Sequence, residues 1–417
     1  MMKINALIIM IAMMLASCGE HLPSGVDNKP PVEKKDTVFE LVWETQMDST
    51  QHVVGGIYHQ VWNNTVIFSG RFEDPPTLYA YDEQSGKLLW KYINKNGLKD
   101  KIIYSAVKED IYIGITNDGV FGFDLNNRQM KWQINQNQMN IKFGWNMTIR
   151  GDYIYQPVYW NFGQVNNSSA KIIRIKYNTG EFETVYEIAS VDSLMDGFSA
   201  PVFWKNPDTG HDIMFFNNQN WNYFKSPQEV SQDLIGVDVD TRQVLWCNAE
   251  FTPVASNGAI HPIMYKDNII TGGDWSMYSF DARTGKLNWK TEFAELKPWS
   301  LWGTAEHLIV ENRLYCKDDG RSIWCLNADS GEVIWHNPDD GSNCKPSTIY
   351  YKDMLVYVSW GKGAIMVLDA FTGKRIHKER SHNNSTFFSD VVYDKETDMF
   401  FTKDFIYAYG FKIHKPE

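Results

Sequence analysis

Cysteine is scarce in this chain of 417 residues: five are present, none as Cys-x-x-Cys, so neither a zinc ribbon nor a thioredoxin-type redox pair has its ligands. Positive charge is in deficit as well. Forty Lys and Arg stand against 51 Asp and Glu, a net charge of -11 with no basic cluster to offset it, which sets nucleic acid aside as a partner. His-Glu-x-x-His, Gly-x-Ser-x-Gly and a Gly-rich phosphate loop ending in Lys-Ser/Thr are all missing. His261, His307 and His382 are scattered over separate segments and read as ordinary strand or loop histidines. No metal site is called for.

Long apolar runs are absent except near the start, where Ile4 to Met14 is too short to span a bilayer. With Lys3 before it and Leu15-Ala16-Ser17-Cys18 after it, the segment 1–17 reads as an export signal. Leu-Ala-Ser-Cys resembles the lipobox of bacterial lipoproteins, which implies cleavage before Cys18 and lipid on its thiol. Residues 18–37 carry Pro23, Pro30, Pro31 and mixed charge without periodicity, the composition of an extended tether. Of the other cysteines, Cys316 and Cys325 flank the turn Lys317 to Ser322, and either a disulfide or two buried free thiols satisfies that spacing.

What the sequence does contain is a repeat. Asp281-Ala282-Arg283-Thr284-Gly285-Lys286-Leu287-Asn288-Trp289 is nearly matched from Asp82 to Trp90 and from Asn327 to Trp335. Asp369 begins a copy that ends in His377, Asp238 and Asp124 begin copies without the Gly, and Lys176 begins one that keeps Gly180 but lacks Asp and Trp. Positions 82, 124, 176, 238, 281, 327 and 369 are separated by 42, 52, 62, 43, 46 and 42 residues. A period in the forties with strand-like alternation inside each unit is the signature of a bladed array. The turn Asp accepts a backbone N–H two residues on, Gly285 supplies a positive φ, and Trp289 sits on the return strand.

The ends complete the count. Phe39 to Thr45 is a fourth strand without a third, and Ile406 to Gly410 is a third strand without a fourth. The expected fold is therefore all-β, an eight-bladed propeller of four-stranded antiparallel blades over residues 38–413, closed by the N-terminal strand. Trp43, Trp90, Trp132, Trp246, Trp289 and Trp335 are expected to dock blade against blade, each burying about 150 to 250 Å².

The Asp-x-x-Thr-Gly-Lys-x-x-Trp repeat resembles the tryptophan-docking motif of the quinoprotein-type, PQQ-like β-propellers. That family has a branch of quinone-dependent dehydrogenases and a non-catalytic, BamB-like lipoprotein branch tied to outer-membrane barrel assembly. The dehydrogenase branch implies an adjacent Cys-Cys pair and calcium carboxylates near the ring axis. No two cysteines are adjacent here, and the expected inner strands bring only Asp196, Glu306 and Asp390. The resemblance to the second branch implies no cofactor, a protein partner in the envelope such as an outer-membrane barrel protein, and anchorage through Cys18 on a face of the outer membrane that the sequence leaves open.

The two longest intervals place surplus chain between second and third strands, over Tyr159 to Ala170 and Asn217 to Asp233. Tyr159, Trp160, Phe162, Trp221, Tyr223 and Phe224 there, mixed with Asn and Gln, suit a protein hot spot or a sugar-stacking surface, so glycan recognition stands as the alternative. Packing of the loops on themselves accounts for the same residues equally well.

Overall fold

The computed structural model describes residues 38–416 apart from 48–57, 71–76, 95–97, 99–101, 137–140, 145, 161–169, 189–193, 223–228, 253–260, 274–275, 294–306, 318–321, 342–346 and 382–384. The segments 1–17 and 18–37, and with them Cys18, lie outside the described residues. The rest forms eight antiparallel sheets, one per repeat. In order from the inside outward the strands of a blade are called A, B, C and D here. Blade 1 comprises Gln60–Trp62, Thr65–Ser69, Thr77–Asp82 and Leu88–Ile93, and blades 2 to 7 repeat that order through Arg375–Arg380. Several A strands begin a few residues later than the repeat suggests, at Gln60, Ile263 and Leu308 for example.

Blade 8 takes its first three strands from Val392–Asp394, Met399–Lys403 and Tyr407–Ile413, and its D strand from Phe39–Gln46 at the other end of the chain. The pairing runs from Phe39 opposite Ile413 to Gln46 opposite Tyr407. Eight apolar clusters fill the eight joints between consecutive blades. The cluster that joins Trp43 and Phe401 of blade 8 to Phe68 and Tyr79 of blade 1 shows that the wheel is closed.

Burial explains the sequence pattern. B and C strands such as Met354–Ser359 are buried at every position because a neighbouring blade covers each face, so they read as continuous apolar runs. D strands alternate instead, as in Leu287–Glu292, because one edge and one face meet solvent.

The motif serves two blades at once. Within its own hairpin, Oδ1 of Asp281 accepts Thr284 N–H at 2.8 Å and its hydroxyl at 2.7 Å, three residues on rather than two. Across the joint, the indole N–H of five of the six docking Trp residues reaches the carbonyl that follows the turn residue of the next blade, while Trp90 packs on Phe123 with ring centroids 5.9 Å apart. Trp43 donates to Glu83 O at 2.6 Å, Trp132 to Tyr177 O at 2.8 Å, Trp246 to Ala282 O at 3.1 Å, Trp289 to Ala328 O at 3.2 Å and Trp335 to Ala370 O at 3.0 Å. The motif Gly lies under that indole: a Cβ on Gly373 would fall 2.4 Å from the Trp335 ring, and one on Gly331 2.6 Å from Trp289. A second latch follows two residues after the Trp, where Thr45, Asn248, Thr291 and Asn337 donate to the carbonyls of Gly86, Gly285, Gly331 and Gly373.

The exceptions have physical causes. Opposite each Trp on the C strand stands a small residue, namely Ala80, Gly122, Gly236, Ser279, Cys325 and Gly410. Where the Trp is lost, the opposite residue is β-branched: Ile173 faces Thr184 and Val367 faces His377. Blade 8 has no C–D turn, because its C and D strands come from opposite ends of the chain, and so it offers blade 7 no carbonyl to dock on. There His377 stacks on Phe39 at 6.0 Å instead. At the joint between blades 3 and 4 the Gly position is Arg242, with φ of 60°, and the Trp slot is Thr184. Glu183, bonded to Arg174 at 2.7 Å and to Arg242 at 2.5 Å, replaces the indole with an ionic clasp.

Candidate functional site

Antiparallel topology sorts the connections. A–B and C–D turns leave one end of the wheel, and B–C and D–A connections leave the other. The first end is tightly tied: Trp62 donates to Asp110 at 3.1 Å, Trp204 to Asp267 at 2.8 Å and Tyr265 to Asp329 at 3.1 Å, each from one blade to the next. The second end holds the extensions.

Those extensions sit side by side in blades 3 and 4. In blade 3 the B strand Tyr153–Trp160 pairs with two inner segments, Ile141–Phe143 and Thr148–Arg150. In blade 4 the B strand Asp212–Asn222 likewise pairs with Leu194–Phe198 and Val202–Lys205. Tyr159 and Trp160 lie at the end of one B strand, opposite Lys142 and Ile141, and Trp221 lies at the end of the other, opposite Met195 and Val230. Phe162, Tyr223 and Phe224 fall outside the described residues. The expectation of a loop over Asn217 to Asp233 is corrected in part, because pairing continues to Asn222 opposite Glu229 and most of the surplus is regular hairpin. The apolar residues Ile213 to Phe216 and Leu234 to Val237 anchor the base of this hairpin, from which the pairing continues outward.

The lengthened ladder is rich in carboxamides. Asn217 donates to Thr271 Oγ1 of blade 5 at 2.7 Å, and Gln219, Gln232 and Thr252 follow one another across strands B, C and D of blade 4. Gln232 is fully buried, and neither atom of its carboxamide has a hydrogen-bond partner among the described residues. Leaving such a group unpaired costs about 1 to 3 kcal/mol, so water or a ligand is expected to meet it. Nearer the axis, His261 of blade 5 ties blade 3 to blade 4. Its Nδ1 accepts Ala200 N–H at 3.1 Å, which puts the hydrogen on Nε2. Asn146 meets Nε2, and chemistry requires its carboxamide oxygen there.

Other candidates resolve as follows. Asp390 is buried, and both its oxygens accept from Ser347, at 2.7 and 3.0 Å, so it fastens blade 8 to blade 7. Asp196 lies on the inner extension of blade 4, and Glu306 is outside the described residues, as are His382 and Cys344. His307 is buried without a hydrogen-bond partner among the described residues, and burial, helped by Lys317, lowers its pKa to about 4. Cys316 and Cys325 are free: they are diagonal across the hairpin and pack into different joints, so of the two readings the free thiols hold. Among the described residues His211, Asp238 and Asp240 come close enough to share an ion. Asp238 is already engaged there by His211 Nδ1 at 2.8 Å and by the amides of Asp240 and Thr241.

Sequence reading missed the second latch and the His261 bridge, neither of which follows a motif. It also missed Glu83, for which a signal exists. The residue after the turn position is Leu125, Tyr177, Val239, Ala282, Ala328 or Ala370 in other blades, and a carboxylate only in blade 1.

Comparison with known proteins fits this architecture. A 140-residue stretch is 25% identical to the outer membrane protein assembly factor BamB of Escherichia coli strain K12, covering 32% of this chain and 30% of that protein. The matched stretch thus spans less than a third of the curated relatives' length. Two solved structures share the fold. BamB from Moraxella catarrhalis superposes with a TM-score of 0.60 at 12% identity, over 90% of this chain and 100% of that one. A europium-containing methanol dehydrogenase superposes with a TM-score of 0.69 at 11% identity, over 91% and 94%. The sequence profile of a family described as outer membrane protein assembly factor BamB matches residues 40–256 and 273–403, most of the propeller, and the chain belongs to that family.

Proposed function

We propose that the protein is a non-catalytic scaffold of the bacterial cell envelope, lipid-anchored through Cys18 and binding a protein partner in outer-membrane protein assembly. The observation that carries this reading is the long B strand of blade 3 beside the lengthened hairpin of blade 4, raised on a rigid wheel that matches the BamB family over most of its length. Binding residues collect on such extensions because the scaffold fixes their position. Photo-crosslinking in intact cells, followed by identification of the captured proteins, tests it. Deleting 161–169 and 223–228 should abolish capture while the melting temperature stays near wild type, and Cys18→Ser should release the protein from membranes. Unchanged capture by the double deletion would remove the hairpins from the interface.

The carboxamide row of blade 4 supports a second reading, recognition of a glycan, because its donors and acceptors suit sugar hydroxyls. Saturable binding on a glycan array, lost in Gln232→Leu, would favour it. A quinone-dependent oxidoreductase has less support, since the Asp390 carboxylate is already committed to Ser347.

A further inference from the structure

The C–D turn of blade 7 breaks the repeat at its tip. Two residues after the turn position stand Gln84, Asn126, Asn178, Asp240, Arg283 and Asp329 in blades 1 to 6, all polar, whereas blade 7 carries Phe371. Phe371 is 46% exposed, and the turn asks nothing of its ring: Asp369 Oδ1 accepts the backbone N–H of Phe371 at 3.1 Å and of Thr372 at 2.7 Å. Beside it, Val333 and Ile334 on the outer strand of blade 6 are 45% and 42% exposed, as such strand starts are in other blades. Only here does an aromatic turn tip join them. A bare ring where polar residues complete the other turns gains the fold nothing, and it points to an apolar medium that the ring enters.

Bases flank the ring. Arg313 of blade 6 lies over it at 4.9 Å, and Lys374 and Arg375 follow in the chain. Lys374 has no ion pair among the described residues. The two acids in the turns of blade 7 are already engaged, Asp369 by its own turn and Asp353 by Lys415 at 2.6 Å and Tyr350 at 2.8 Å. The chain also enters the wheel at this corner. The carbonyl of Val38 accepts His414 N–H at 2.8 Å, Lys415 bonds Asp353, and the carbonyl of Asp353 accepts Ala370 N–H at 2.9 Å, next to Phe371. Phe39 stacks on His377 of the same blade. The segment 18–37 therefore joins the wheel a short series of contacts from the exposed ring.

We propose that this corner of the wheel, Phe371 with Arg313, Lys374 and Arg375, seats on the headgroup surface of the phospholipid membrane that holds the lipid of Cys18. The inference rests on the lipid-anchored scaffold reading for the membrane and on the corner alone for the contact. The ring enters the boundary of headgroups and acyl chains while the bases meet phosphates. Such a contact is weak by itself, and a tether joined at Val38 makes it effective by holding the corner at high local concentration. Closure fixes the consequence. In a ring of eight, blades 7 and 8 stand opposite blades 3 and 4, and Phe371 leaves the end of the wheel opposite to the one that carries the B–C connections. Seating here turns the long strands of blades 3 and 4 away from the lipid, toward a partner in the aqueous space. The net charge of -11 acts in the same sense, because an anionic surface repels the acidic remainder of the wheel.

All eight sheets lie within residues 37–417, so the wheel is complete without signal or lipid, and that unit is the protein for the test. It is sedimented at low salt with vesicles of phosphatidylethanolamine and phosphatidylglycerol, and in parallel with vesicles of phosphatidylcholine. Binding to the anionic vesicles alone is expected, weakened roughly fivefold or more by Phe371→Ser and by Lys374→Glu, and lost at high salt. Lys374→Glu removes no packing, so it decides the matter even if Phe371→Ser lowers the melting temperature. Val244→Ser removes an apolar side chain of the same 46% exposure from blade 4 and should bind like the wild type. No sedimentation with either vesicle, unaltered binding in both corner variants, or an equal loss in Val244→Ser would overturn the proposal. Saturable binding of an oligoglutamate peptide without any binding to vesicles would overturn it too, and would give the corner to an acidic protein. Failure here with membrane release by Cys18→Ser intact sinks only the corner, whereas vesicle binding without partner capture in cells sinks the scaffold reading and leaves the corner standing.

Discussion

A glycine in the repeated turn has two tasks that can be separated by experiment. Gly373 has φ of 68° and lies against Trp335, whereas Gly210 has φ of 71° and nothing within 4 Å of a Cβ. Gly210→Ala should therefore cost about 1 kcal/mol, the penalty of the left-handed conformation alone. Gly373→Ala adds the displacement of a docked indole and should cost about 3 kcal/mol. Chemical denaturation midpoints of the two variants provide the comparison, and equal losses would mean that the glycine serves only the turn. At this scale the sequence was informative about the Asp, the Gly and the Trp, because each repeats. It was silent on the carbonyl that a docked indole finds, since that atom belongs to the next blade and carries no side-chain signature.

Joints between blades are the elements of stability, and they are not alike. At the joint of blades 6 and 7, Trp335 is 9% exposed and bonded to Ala370 O. At the joint of blades 3 and 4, the clasp from Arg242 to Glu183 is built from side chains that are 49% and 43% exposed. Trp335→Ala should cost about 3 to 5 kcal/mol as a buried aromatic truncation. Arg242→Ala should cost at most about 1 kcal/mol and still less at high salt. Paired urea unfolding curves at low and high ionic strength check both, and a salt-independent loss in Arg242→Ala would mean that packing of its stem, not charge, holds the joint. The missing motif elements at Thr184 and Arg242 were visible as departures from the repeat, yet their meaning was not: an absent Trp and an absent Gly belong to the same joint only once consecutive blades face one another. The surplus at Asn217 to Asp233 was located correctly by counting and misread as loop. The interval count gives only the surplus length, while the hairpin pairing that satisfies its backbone is a tertiary fact.

At the scale of the whole wheel, closure by the first strand was legible because two half-blades at the chain ends have complementary patterns. The electrostatic character of that closure was not, since burial of Glu83 depends on a blade some 300 residues away. It sets one limb of the stability profile. With a folded pKa of about 7 against an ordinary value of 4.5, Glu83 contributes stability that is full below its unfolded pKa and lost as pH rises through 7, at most about 3 kcal/mol. His59 and His307 set the other limb. Both are buried and held below their ordinary value chiefly by that burial, so their contribution is full above about 6.5 and lost as pH falls and the unfolded chain takes up protons. The two trends cross on the slightly acid side of neutrality, which is where thermal stability should peak. Glu83→Gln should remove the fall near pH 7 and steepen the acid limb, which the carboxyl opposes between its unfolded and folded pKa values, and His307→Phe should soften the acid limb alone. Melting temperatures across both limbs decide it: an unchanged neutral limb in Glu83→Gln would show that the carboxyl at the closing joint does not hold its proton in the folded wheel.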